Sequence, residues 1–210
     1  MTNGVSLEVV VEEPSAAEVL GSLLPKIVPG VPFEIRVLRG KDMLLKELPD
    51  RLRGYAGWID ATATKVVILV DRDADDCVEL KARLADLVKQ AGLRLHRVTT
   101  RDANVLLRIV IEELEAWFFG DVPALCRAYP KVPRTLAQQA AYRDPDRIAG
   151  GTWEALARVL NKHGYHTSGL LKLRLAADVA PHMDVESNRS ESFQVFRDGL
   201  RRLVSEGSHA

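Results

Sequence analysis

The segment KVVILVDRDADD constrains this chain more than any other. Val66 to Val70 are five consecutive apolar residues, and four of them are β-branched. A run of that kind reads as a strand buried on both faces, which requires a sheet covered by helices on each side. The surrounding sequence repeats the theme. Strands are expected over residues 7–11 and 33–38, and a fourth over 93–98. Between them, helical spacing is expected over 16–27 with Ser15 as N-cap, over 42–55 with a break or kink at Pro49, and over 76–91 with Gly92 as the stop. A further helix is expected over 106–119. Strands alternating with amphipathic helices imply an α/β fold around a mostly parallel, four-stranded sheet.

Beyond Asp121 the pattern changes. Pro123, Pro130, Pro133 and Pro145 punctuate the chain, and helical segments follow over 153–163, 170–180 and 192–204 without a convincing strand. Two parts are therefore expected: an α/β domain over 1–121, and an all-helical C-terminal extension over 122–210 packed on it. The chain has 210 residues, enough for this arrangement. Its formal net charge is zero, which argues against coating nucleic acid by bulk electrostatics and leaves room only for a local basic groove. Cys77 and Cys126 are far apart and lack a CxxC partner, so they fit reduced thiols. The start, MTNGVSLEVVVEEP, has no basic n-region, and no stretch approaches a membrane span. A soluble, cytoplasmic protein is expected.

The chemistry resides in the acidic residues. Asp71 and Asp73 follow directly on the buried strand, at the end where open α/β sheets bind ligands. Two carboxylates so close repel unless a cation neutralises them, and a hard divalent ion such as Mg²⁺ suits an all-oxygen environment. The plain alternative is that they cap the following helix. An EF-hand loop counted from Asp71 would need Gly and Glu where Asp76 and Ala82 stand, so that reading fails. The DxDxT of haloacid-dehalogenase phosphatases is matched only in its first two acids, because Asp75 occupies the fifth place. The segment VVVEEPSAAEVL again ends a strand on an acid, Glu12. In RIVIEELEAWFFGD, Glu112 and Glu115 are three apart and share one face of the expected helix. His163 and His166 share the same spacing but read as a helix end. No GxSxG elbow, Walker A loop or GxGxxG is present, which removes the hydrolase, ATPase and Rossmann dehydrogenase readings those motifs carry.

Several of these segments resemble known families. The strand–Glu12–turn–helix unit resembles the first motif of Toprim domains, with the DxD of Asp71 and Asp73 two strands later. Glu13 stands where that family has Gly, a residue that lets the backbone pass close to a phosphate. IEELEAWFFGD and GLLKLRLAADVA resemble segments of the overcoming-lysogenization-defect nucleases, a Toprim branch. Together with GKDMLLKELPDRLRGYA, YRDPD and NRSESFQVFRDGL, the chain resembles a bacterial family, domain-of-unknown-function family 4276, grouped with Toprim-like folds. The resemblance implies metal ligands at Glu12, Asp71, Asp73 and Glu115, catalytic roles for Glu12, Glu112 or Glu115, and a charge-stabilising Lys172. Mg²⁺ or Mn²⁺ would be the cofactor. Lys41 and Arg51 are further candidates to meet an anion. The resulting expectation is a metal-dependent nuclease or phosphoryl-transfer enzyme, with nucleic acid as a partner and an anti-phage setting. The alternative is a non-catalytic Toprim-like subunit docked on a partner ATPase, which Glu13 and the neutral charge favour. A third reading, a small-molecule phosphatase, requires a closed pocket.

Overall fold

Four parallel strands form one sheet: β1 (Ser6–Val11), β2 (Phe33–Val37), β3 (Thr64–Asp71) and β4 (Val105–Val110), in the order β2-β1-β3-β4. The computed structural model describes residues 4–72, 76–97, 102–110, 113–169 and 171–206. Every residue of β3 is buried, as its unbroken apolar run requires.

Alternate residues of the strands supply two separate cores. Val9, Val11, Val67, Leu69, Leu106 and Val110 face one side. There they meet α1 (Pro14–Ile27) and the C-terminal helices. Val10, Val66, Ile68, Val70, Val105 and Leu107 face the other, under α2 (Lys41–Ala56) and α3 (Cys77–Gln90). From β1 the chain steps outward to β2 with its helix on the first side. It then crosses back to β3 and on to β4 with helices on the second. Crossovers of one hand demand this alternation. It creates a switch point between the carboxyl ends of β1 and β3, where chain directions diverge.

The C-terminal part builds on the first core. α4 (Glu115–Gly120), α5 (Val122–Ala128), α6 (Thr152–Lys162), α7 (Lys172–Val179) and α8 (Glu191–Glu206) follow, with short 3-10 turns between. Trp117, fully buried, stacks on Phe196 with ring centroids 5.3 Å apart and meets Phe193 edge-on at 5.1 Å. α8 thereby closes over β4, and α7 lies along α1. One continuous core therefore includes residues from both sides of position 121. Among the described residues, no helix is long and apolar enough to cross a membrane.

Four local expectations are corrected. The fourth strand is β4 at 105–110, while 93–98 contributes only an isolated bridge from Leu95 to Val105. VLLRIV is the longer apolar run and can bury residues against both cores at once. The helix expected over 106–119 accordingly begins only at Glu115. Glu13, not Ser15, is the N-cap of α1, with Pro14 at the first helical position. α2 is unbroken across Pro49, and its Leu44, Leu48 and Leu52 remain in register on the second core.

Candidate functional site

The carboxyl ends of β1 and β3 lie side by side. Val11 pairs with Leu69, so continuing that register sets Glu12 beside Val70, one residue from Asp71. Glu12 and Asp71 are both buried. Behind β1 the chain turns at Gly40, whose φ of 102° is open to glycine at little cost, and its N–H donates to the Glu12 carbonyl at 2.8 Å. That turn starts α2, and Lys41 at its first position donates from Nζ to the Arg72 carbonyl at 3.1 Å. A cation from one strand connection thus spans the switch point to the chain leaving β3.

Lys172, the first residue of α7, is delivered to the same end of the sheet. Its Nζ lies 3.5 Å from Glu13 Oε2 and 4.0 Å from Glu113 Oε1, and 5.5 Å from the centroid of the Trp153 ring. Burial by itself pulls the ammonium pKa down. The fields of Glu115, Glu13, Glu113 and Asp71 outweigh it, and the net shift is upward. Lys172 is therefore the charge around which Asp71 and three glutamates are gathered.

Glu113 and Glu13 are held by their neighbours. Glu113 Oε2 accepts from the Trp153 N–H at 2.8 Å and the Thr152 hydroxyl at 3.1 Å. Those donors sit in the first turn of α6, where Gly151 has no side chain to cap with, so Glu113 serves as the cap from outside. Glu13 Oε2 also accepts from Ser15 Oγ at 3.1 Å.

Glu115 differs from both. It is only 3% exposed, and its Oε2 has no hydrogen-bond partner among the described residues. Burial raises its carboxyl from 4.5 to about 7, with Glu113 and Glu13 adding to the rise. The Lys172 charge and the hydrogen bond from the residue's own backbone N–H oppose it. A half-satisfied carboxyl that exchanges its proton near neutrality is a competent acid–base group or cation ligand.

Of the residues singled out in the sequence, Glu12, Asp71, Glu115 and Lys172 all belong to this end of the sheet, and Lys41 reaches it. Asp73 and Glu112 lie outside the described residues. Among the described residues, no three His, Cys, Asp or Glu side chains form a group able to hold a metal ion. The donor set suits a hard cation in kind, being buried carboxylate with one orphaned oxygen. Glu13 and Glu113 were not anticipated as members of the cluster. Both were visible only as neighbours of better-placed acids. Glu13 departs from the glycine of the Toprim motif, yet its φ of −122° and ψ of 150° are ordinary extended backbone that needs no glycine. His163 ends α6, as its sequence context suggested.

The molecule is thus a parallel α/β protein carrying an acid–lysine cluster at its topological switch point, completed by a helical C-terminal region. The family model described as Domain of unknown function (DUF4276) matches residues 11–201, and the chain belongs to that family. No curated protein and no solved structure matches it.

Proposed function

We propose that the cluster is the active centre of a divalent-metal-dependent nuclease or related phosphoryl-transfer enzyme of Toprim type. The observation that supports this most is the buried Glu115 carboxyl beside Lys172, with its Oε2 unpartnered among the described residues, at the sheet end that also carries Glu12 and Asp71. Glu12, Asp71 and Glu115, with Asp73, would hold Mg²⁺ or Mn²⁺. Held there, such an ion would supply charge neutralisation to a phosphoryl oxygen and would make water more acidic. Glu115 accepts or returns a proton at this end of the site. The Lys172 ammonium faces the same space and offsets negative charge developing on a phosphate. Glu13 and Glu113 fix where that ammonium sits. The expected substrate class is nucleic acid, in the setting of anti-phage defence.

A second reading is a non-catalytic subunit serving a partner ATPase. The specific observation in its favour is that Lys172 already meets Glu13 and Glu113, so its charge is compensated within the chain. One experiment separates the two. Mn²⁺ is titrated calorimetrically into wild type and Asp71→Asn, and plasmid and single-stranded substrates are then incubated with each. The enzyme reading expects metal binding and cleavage in wild type and neither in the variant. Lys172→Ala should bind metal and cleave about 10²- to 10³-fold more slowly. Metal binding without cleavage, alone and with the ATPase, would leave the subunit reading standing.

A further inference from the structure

A cavity of about 620 Å³ opens between Tyr129, the turn at 164–168, α7 and His182. Arg174 and Asp178 line it from a face of α7 roughly opposite Lys172, given about 100° of rotation per residue. It is therefore separate from the acid–lysine cluster.

Its wall is a built network. Tyr129 is buried, and its phenol donates to Asp178 Oδ2 at 2.8 Å. His166 Nε2 lies 2.9 Å from the same phenol oxygen. A phenol has one proton, and here Asp178 takes it, so His166 must donate through Nε2. The Tyr129 ring also meets Tyr165 and His166 edge-on, at 5.0 Å and 5.4 Å between centroids. His166 is held at a φ of 54°, in the left-handed region that favours glycine over residues with side chains. These contacts hold it there.

The charge of the lining is one-sided. Among the described residues that line it, Asp178 is the single acid, and Tyr129 and Arg174 already engage it, the latter at 3.8 Å. Arg127, Arg174, His166 and His182 supply basic groups, and Thr167 and Ser168 supply hydroxyls. Among the described lining residues there is no second carboxylate, although Asp184 outside the lining lies in the field of Arg127. Guanidinium forks beside hydroxyl donors match a tetrahedral oxyanion, and the volume lies within the range of small-molecule sites.

We propose that this cavity binds the phosphate group of a small phosphorylated molecule, with Arg127 and Arg174 on its oxygens and Thr167 and Ser168 donating beside them. The test is calorimetric titration of the full chain, in chelator, with inorganic phosphate, with AMP and UMP, and with sulfate and a single-stranded oligonucleotide as controls. Phosphate or the nucleotides should bind, and Arg127→Gln or Arg174→Gln should each weaken them roughly tenfold. Arg174→Lys should recover part of the loss, and Arg53→Gln, at an exposed surface position outside both sites, should bind as wild type does. The Arg174 side chain is 69% exposed, so its variants keep the fold, which circular dichroism verifies. Tighter nucleotide than phosphate identifies an organic phosphate, and equal affinity identifies phosphate itself as the recognised group. The proposal is overturned if none of these probes binds at millimolar concentration, if the double Arg→Gln variant binds unchanged, or if sulfate binds equally well. It is also overturned if the oligonucleotide binds through these arginines while mononucleotides do not.

Discussion

Replacing Glu115 by Gln offers a quantitative test of the buried carboxyl. The folded protein holds this group near 7, against 4.5 when it is free of its surroundings. Between those values the native state keeps a proton that the unfolded chain has released. Stability therefore falls as pH rises, by about 1.36 kcal/mol for each pH unit. The contribution is complete below about 4.5 and is lost by the time pH has passed 7. Across that interval the loss amounts to about 3 kcal/mol. Gln has the shape of the protonated acid and cannot ionise. Relative to wild type, Glu115→Gln should be nearly neutral at the acid end of the interval and more stable by about 3 kcal/mol at pH 8. The assay is urea unfolding in chelator across this pH range, because the difference between the two proteins cancels every other titrating group. Parallel stability profiles would refute the reasoning, since they would mean that the Glu115 carboxyl ionises equally well folded and unfolded.

Lys172→Met removes the charge that holds Glu115 down, so the inflection in the same profile should move to higher pH; an unmoved inflection would separate the two groups. Trp117→Ala empties the space against Phe193 and Phe196 and should cost about 3–5 kcal/mol in urea unfolding. Gly120→Ala should cost about 1–3 kcal/mol by the same measure. Its new methyl would overlap the Asn188 side-chain oxygen and lie 2.8 Å from the Ser190 backbone nitrogen, neither of which can withdraw freely.

The sheet was readable where one residue pattern allowed one structure. Val66 to Val70 could only be an interior strand, and β3 is buried throughout. The fourth strand lies away from its expected place because two apolar runs compete for it. LRLHRV and VLLRIVI are both short, and periodicity does not distinguish a buried strand from a buried helix turn over such lengths. Tertiary context decided the matter. Leu106 and Val110 fill one core while Val105 and Leu107 fill the other, a division that a helix over the same residues could not provide. The cap of α1 departs from its sequence pattern for a different reason. Ser15 has the better capping side chain, but Pro14 suits the first helical position, and a residue before proline is driven to extended backbone.

The site was readable at the level of single strands and opaque at the level of partners. That Glu12 and Asp71 end buried strands can be read directly from the alternation of the chain, and the switch point between β1 and β3 follows from strand order alone. The identity of the groups facing Lys172 depends on α7 returning to the sheet about 60 residues after β4, and nothing local encodes that return. Glu13 illustrates the difference. Compared with a glycine motif it looks like a defect. Seen beside Lys172 it has a structural role, because its carboxylate takes the ammonium and the Ser15 hydroxyl together. A glycine at that position would leave Lys172 with one fewer counter-charge, and more of its positive charge would be available to an incoming phosphate. Glu13→Gly should therefore increase affinity for anions at the sheet end while leaving the cavity beside Tyr129 unchanged. Phosphate titrations of Glu13→Gly and Glu13→Gly/Arg174→Gln measure the two sites separately. Identical isotherms for wild type and Glu13→Gly would show that Glu13 does not restrain the lysine.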